Sequence, residues 1–120
     1  LPFIYVRSAS KDHGLGNQIE GYFEEGQKVV VIEDLISTGG SSLKAVEALR
    51  AANVNVMGML AIFTYQFSVS VDAFAKANCK VDTLTNYTAL IELATEKNYI
   101  TPAQMESLKE WRNHPDTWGK

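Results

Sequence analysis

Between Val29 and Ser42 the chain reads VVVIEDLISTGGSS. Four aliphatic residues run into two adjacent carboxylates, Glu33 and Asp34. Two more aliphatics, Leu35 and Ile36, lead to a run of small hydroxylated residues and glycines. The hydroxyls of Ser37, Thr38 and Ser41 are donors for an anion, and Gly39 and Gly40 let the backbone approach one closely. If a helix begins at the end of this run, its free N–H groups and positive dipole end complete a phosphate site. The two carboxylates need a different guest: hydroxyl donors or positive charge. A ribose carrying a 5′-phosphate supplies both ends. Its phosphate enters the loop, its 2′ and 3′ hydroxyls meet the acids, and positive charge developing on the sugar is stabilised by them.

Each half of this pattern has an ordinary explanation. An acidic pair at a strand end is often a solvated turn, and STGG is often a turn with a helix cap. The conjunction of both at the end of an aliphatic strand favours the ligand reading. Other phosphate motifs are absent. There is no G-x-x-x-x-G-K-[ST], and GLGNQI lies in a polar stretch and lacks the third glycine of a dinucleotide fingerprint.

The surrounding pattern supplies the elements that would position such a site. Phe3 to Val6 is β-branched and aromatic and predicts a short strand. Arg7 to Gly21 is polar, with three glycines, and predicts a long loop of the functional kind. Lys28 to Glu33 is an aliphatic run, as in a parallel-sheet strand covered on both faces. Ser41 to Ala52 has helical spacing, with Leu43, Val46, Leu49 and the Arg50 stem on one face, Ser41 or Ser42 as cap and Asn53 as stop. Val54 to Phe63 reads as a second buried strand, Val71 to Asn78 as a short helix and Lys80 to Thr85 as a third strand. Tyr87 to Lys97 reads as a helix with Leu90, Leu93 and Ala94 inward. Thr101-Pro102-Ala103-Gln104 is a capping box opening a last helix with Met105, Leu108 and Trp111 on one stripe. Strands alternating with helices predict an α/β fold with an open, mainly parallel sheet flanked by helices. With no repeat or linker, residues 1–120 read as one domain.

The 120 residues suffice for a core, and 46% hydrophobic with 21% charged residues is ordinary globular composition. A net charge of −3 gives no electrostatic reason to expect nucleic acid or an acidic membrane. No apolar run reaches the ~20 residues of a membrane-spanning helix. The single cysteine, Cys79, excludes an intrachain disulfide and a cysteine-based zinc site, and is expected to be buried. A reducing, cytoplasmic setting fits. The abrupt start in a strand-like run at Leu1 suggests the C-terminal part of a longer chain.

VVVIEDLISTGGS resembles the thirteen-residue phosphoribosyl-pyrophosphate (PRPP) motif of the type I phosphoribosyltransferases. Upstream, YVRSASKDHGLGNQIEG is similar to the mobile catalytic loop of the orotate phosphoribosyltransferase family, and AIFTYQF and LTNYTALIELA resemble its Gram-positive-like branch. The resemblance implies a type I phosphoribosyltransferase (Rossmann-like) fold lacking its N-terminal part. It implies transfer of the phosphoribosyl group from PRPP to orotate with Mg²⁺ bound mainly through PRPP, giving orotidine 5′-monophosphate and pyrophosphate, and it marks no residue as a metal ligand. Glu33 and Asp34 would hold the ribose hydroxyls. Leu35, Ile36, Ser37, Thr38, Gly39, Gly40 and Ser41 would complete the PRPP site, with Ser37 also contacting orotate. Arg7, Lys11 and His13 would neutralise and protonate the departing pyrophosphate, and the family delivers this loop to the other subunit of a homodimer. Gly14 and Gly16 would let the loop close and exclude water. Ser8 stands where some members have a second lysine, and Tyr65 where some have an arginine that grips orotate. The alternatives are a transferase for another base and a non-catalytic PRPP-binding regulator. Against the regulator, no basic patch or helix-turn-helix pattern is visible.

Overall fold

The computed structural model describes residues 1–8 and 18–120. Lys11, His13, Gly14 and Gly16 lie outside the described residues. The elements run β1 (Tyr5–Val6), β2 (Ile19–Glu20), β3 (Lys28–Ile36), α1 (Gly40–Ala51), β4 (Asn55–Thr64), α2 (Ser68–Lys76), β5 (Val81–Asn86), α3 (Tyr87–Glu96) and α4 (Pro102–Asn113). β3, β4 and β5 form a parallel sheet in that order, while β1 and β2 pair antiparallel as a separate ribbon. The parallel α/β architecture therefore matches the sequence reading. The first strand is shorter than its aromatic run suggested, and the far end of the expected loop, Ile19–Glu20, is a strand.

Side chains of neighbouring strand residues alternate between faces, and here the two faces differ sharply. Val31, Val56, Met59, Ala61 and Val81 turn to the side where Val46 of α1 and Phe74 of α2 close the core, with Ile36 and Cys79. Each fully buried large aliphatic there contributes about 1.5–3 kcal/mol. On the opposite face Val30, Ile32, Leu60, Ile62 and Leu84 are exposed, Ile32 to 69% and Leu84 to 73%. The expectation that β3 is covered on both faces is thus not met by these residues. The radius of gyration, 17.6 Å, exceeds the about 14 Å of a closed domain of this length.

Asparagines stop three helices. Asn53, Asn78 and Asn98 follow α1, α2 and α3 with φ of 60°, 48° and 60°, the left-handed conformation that Asn tolerates better than most residues. The capping box of α4 forms as expected: Thr101 Oγ1 accepts from the Gln104 N–H and Gln104 Oε1 accepts from the Thr101 N–H. Three details depart from the sequence reading. Helix α2 begins at Ser68 and not Val71. In α3 the buried residues are Tyr87 and Ile91, whereas Leu90 and Leu93 are exposed. Arg50 does not lay its stem in the core; it is exposed and bonds to the end of α2.

Candidate functional site

The acidic pair lies within β3, which continues to Ile36. Glu33 pairs in register with Ala61 on the covered face, so Asp34, its neighbour, belongs to the open face. The two carboxylates are therefore not equivalent. Glu33 is half-buried, and its Oε2 accepts from Ser42 Oγ at 2.9 Å, while its Oε1 accepts from the Asp34 N–H at 3.2 Å. Asp34 is exposed and its Oδ1 accepts from the Leu35 N–H at 2.7 Å. Ile36 is 2% exposed, a core residue whose contribution to any ligand is through its backbone.

Ser37 and Thr38 leave the strand and Gly39 turns the chain into α1 with φ 87°. A Cβ on Gly39 would lie 2.9 Å from Phe74 Cε2, so glycine is required here by both conformation and space. The first helical bond runs from the Leu43 N–H to the Gly39 carbonyl, and no side chain caps the helix. The expected cap by Ser41 or Ser42 is thus absent: Ser42 is 1% exposed and directed to Glu33. The leading amides of α1 remain open beside the hydroxyls of Thr38 and Ser41, which is the arrangement an anion uses.

A cleft of about 310 Å³ joins this helix start to the β1 ribbon, lined by Arg7, Ser8, Glu33, Ser41 and Lys44 among others. The structure thus brings Arg7 to the same cleft as Glu33 and Ser41. Arg7 is held by an ion pair with Glu20 across the ribbon. Lys44, one helical turn beyond Ser41, escaped the sequence reading; its position in the first turns of a helix beginning at Gly40 was the available signal. A second cavity of about 400 Å³ lies on the other side of Thr38, between Phe67, Ser68 and the C-terminal segment from Arg112 to Thr117.

Tyr65 sits beside the start of the loop, its N–H donating to the Ile36 carbonyl at 3.2 Å. Its ring stacks on Phe67 at 5.3 Å and meets the edge of Trp111 at 5.8 Å, with Phe63 and Tyr87 completing the cluster. Burial pushes the Tyr87 hydroxyl above the usual tyrosine range, opposed by the Arg112 charge and reinforced by Tyr65. Burial likewise pushes the Cys79 thiol up, against the nearby Arg50, and Cys79 is buried as expected. His114 is exposed at the end of α4, and Trp118 is tied back by its Nε1–H to Ser107 Oγ at 3.3 Å.

No family model matches the sequence. Among curated proteins, orotate phosphoribosyltransferase of Listeria innocua is 59% identical over 120 residues, covering 100% of this chain and 57% of the relative. The enzyme of that name from Lactococcus lactis is 52% identical over 118 residues, covering 98% of this chain and 56% of the relative. The chain therefore spans little more than half the length of the curated relatives it matches. Among solved structures, Leishmania donovani UMP synthase superposes with a TM-score of 0.75 at 28% identity, over 93% of this chain and 24% of that one. Orotate phosphoribosyltransferase of Aeropyrum pernix gives 0.69 at 26% identity, over 83% and 54% of the two chains. The parallel sheet, its flanking helices and the small-residue loop after β3 define a type I phosphoribosyltransferase fold. Along its whole length the chain is similar to part of the orotate phosphoribosyltransferases it matches.

Proposed function

We propose that this chain is the PRPP-binding portion of an enzyme of pyrimidine biosynthesis that transfers the 5-phosphoribosyl group from PRPP to orotate. The observation that carries the reading is the uncapped, hydroxyl-lined start of α1 directly after an acidic strand end, in a chain 52–59% identical along its length to orotate phosphoribosyltransferases. In the reaction a bond forms between orotate N1 and ribose C1, the bond from C1 to the pyrophosphate oxygen breaks with its electron pair leaving on pyrophosphate, and the proton that N1 loses is taken up by the departing pyrophosphate.

The residues divide the work. The backbone and hydroxyls of Ser37 to Ser41 hold the 5′-phosphate. Asp34 accepts from the ribose hydroxyls, with Glu33 behind it, and both stabilise positive charge that develops on the ribose as the leaving group departs. Ser37, at the end of β3, faces the base. Arg7, released from or shared with Glu20, joins Lys11 and His13 in neutralising the leaving pyrophosphate. Mg²⁺ is carried mainly by the oxygens of PRPP, as this cation commonly is with phosphate substrates. The exposed carboxylate of Asp34 is a hard oxygen donor suited to its shell, and no protein-built cage is invoked. The segment that carries Lys11 is proposed to serve the partner subunit of a homodimer in the cytoplasm. Among the described residues, no helix is long and apolar enough to cross a membrane.

Two measurements test the reading. Calorimetric titration of the chain with Mg²⁺ and PRPP should show saturable binding. Incubation with orotate, adenine, hypoxanthine and uracil in competition should yield, if any nucleotide forms, orotidine monophosphate alone. Absence of PRPP binding, or product from another base, would overturn it.

A further inference from the structure

Nothing in the phosphate loop itself explains what keeps it in register with the strand below. The structure assigns that task to Ser42. Its side chain is 1% exposed, one of the two buried polar residues among those described, and its hydroxyl donates to Glu33 Oε2 at 2.9 Å. The bond spans nine positions of chain and joins the end of β3 to the first turn of α1. Everything between, from Asp34 to Ser41, is thereby tied at its neck. Glu33 takes a second bond from the Asp34 N–H at 3.2 Å, so both of its oxygens are engaged within the protein. Its carboxylate is held towards α1, at the wall of the cleft that it shares with Arg7 and Ser41.

The consequence is a division of labour that the sequence, with two adjacent acids, does not show. Asp34 is exposed, and its carboxylate accepts only from the neighbouring Leu35 N–H among the described residues. Glu33, beside its place in the cleft wall, has a positioning task that it performs through Ser42, holding the leading amides of α1 at a fixed distance from the end of β3. A sugar phosphate has a fixed span between its hydroxyls and its phosphate, so the two ends of the site must be held to within a fraction of an ångström. The buried serine supplies a charge-assisted hydrogen bond whose donor is shielded from water. At Gly39 the Phe74 ring of α2 fills the space a Cβ would need, so the turn is packed closely against α2 there. The assignment rests on the PRPP reading for its ligand but not for the lock itself.

The test separates the two. Amide hydrogen exchange of residues 37–43 is followed in the unliganded chain and in Ser42→Ala, Glu33→Ala and the double variant, alongside the affinity for PRPP with Mg²⁺. Exchange is expected to quicken at least tenfold in each single variant, and the double variant to be no faster than either, because both remove one device. PRPP affinity should fall at least tenfold in Ser42→Ala. Unchanged exchange in folded Ser42→Ala, or additive effects in the double variant, would overturn the lock. Faster exchange with unaltered PRPP affinity would overturn its positioning role. Faster exchange in a chain that binds no PRPP would uphold the lock and overturn the PRPP reading. If Ser42→Ala does not fold, Glu33→Gln, which keeps an acceptor for Ser42, against Glu33→Ala makes the same comparison with Ser42 intact. Glu33→Gln should then exchange as the native chain does, and exchange as fast as Glu33→Ala would overturn the lock.

Discussion

Arg50 and Asn78 are joined across 28 positions of sequence: Arg50 Nη2 donates to the Asn78 carbonyl at 3.0 Å, and Nη1 to that of Ala77 at 2.6 Å. The guanidinium thus satisfies two carbonyls where α2 ends, next to the buried Cys79, and ties the last turn of α1 to it. Arg50→Ala is expected to lower stability by about 1–2 kcal/mol, less than two isolated charged hydrogen bonds because the group is exposed to water. Arg50→Lys should recover only part of this, since an ammonium cannot span both carbonyls as a fork does. Urea unfolding of the parent and the two variants checks it; equal midpoints for the parent and Arg50→Ala would show the fork to be idle.

Gly39→Ala meets two penalties. Its φ of 87° is left-handed, and the new methyl would press on the Phe74 ring at 2.9 Å. A loss of about 2–4 kcal/mol follows from the backbone cost together with overpacking. Gly26→Ala, also left-handed at φ 78° but with open space around it, should cost only the backbone share, about 1–2 kcal/mol. Comparing the two melting curves isolates the contact with Phe74.

Asp34→Asn removes the charge of an exposed carboxylate without touching the core. PRPP affinity is expected to fall by roughly ten- to a hundredfold, the worth of a charge-assisted hydrogen bond, while the melting temperature stays put. Calorimetry and thermal unfolding on one preparation report both. Affinity equal to the parent's would remove Asp34 from the site.

Lys11→Ala is expected to act on turnover. In a subunit that carries the whole family domain, kcat should drop by about a hundredfold or more with KM for orotate little altered, because the charge it answers develops as pyrophosphate leaves. Mixing such subunits with Asp34→Asn subunits should restore part of the activity if each site draws on two chains. Confirmed exchange with no recovery would place loop and sugar site in one subunit.

Tyr87 gives a prediction at alkaline pH. Its hydroxyl donates to the Leu108 carbonyl at 3.2 Å, tying α3 to α4, and burial raises its pKa. A folded-state pKa above the unfolded one means that its stabilisation is fully present below the ordinary tyrosine value of about 10 and is lost as pH rises through the higher folded value. Tyr87→Phe should therefore be less stable than the parent near neutrality, by about 0.5–1.5 kcal/mol, and lose less on going to strongly alkaline solution. Parallel pH dependences of the two chains would show that another group governs the alkaline limb.

Much of this architecture was legible beforehand because its signals are local. Thr101 and Gln104 announce a capping box within four residues, and the aliphatic run of β3 and the Asn53 stop need no tertiary information. The loop after β3 was legible for the same reason: glycines, hydroxyls and acids in one contiguous stretch. What escaped depends on contacts far apart in sequence. Arg50 was placed by its spacing on the apolar face of α1, yet two carbonyls at the end of α2 draw it outward. Leu90 and Leu93 have inward-facing periodicity in α3, but the neighbour that α3 meets is α4, through Tyr87, and the inward stripe rotates to Tyr87 and Ile91. Ser42 looked like a cap because serine caps helices; only the arrival of Glu33 from the covered side of β3 makes it a buried bridge. Glu33 and Asp34 looked alike because adjacency in sequence hides the alternation that sends them to opposite faces.

The open face of the sheet has a thermodynamic consequence. Heat capacity on unfolding reports the apolar surface newly given to water, about 12–15 cal/mol/K per residue for closed domains, or roughly 1.4–1.8 kcal/mol/K at this length. Val30, Ile32, Leu60, Ile62 and Leu84 are already wet in the folded chain and add little to that change. The stability curve of this chain against temperature should therefore be flatter than its length suggests, with a shallower denaturant slope to match. Any polypeptide that came to cover the five side chains would sharpen both.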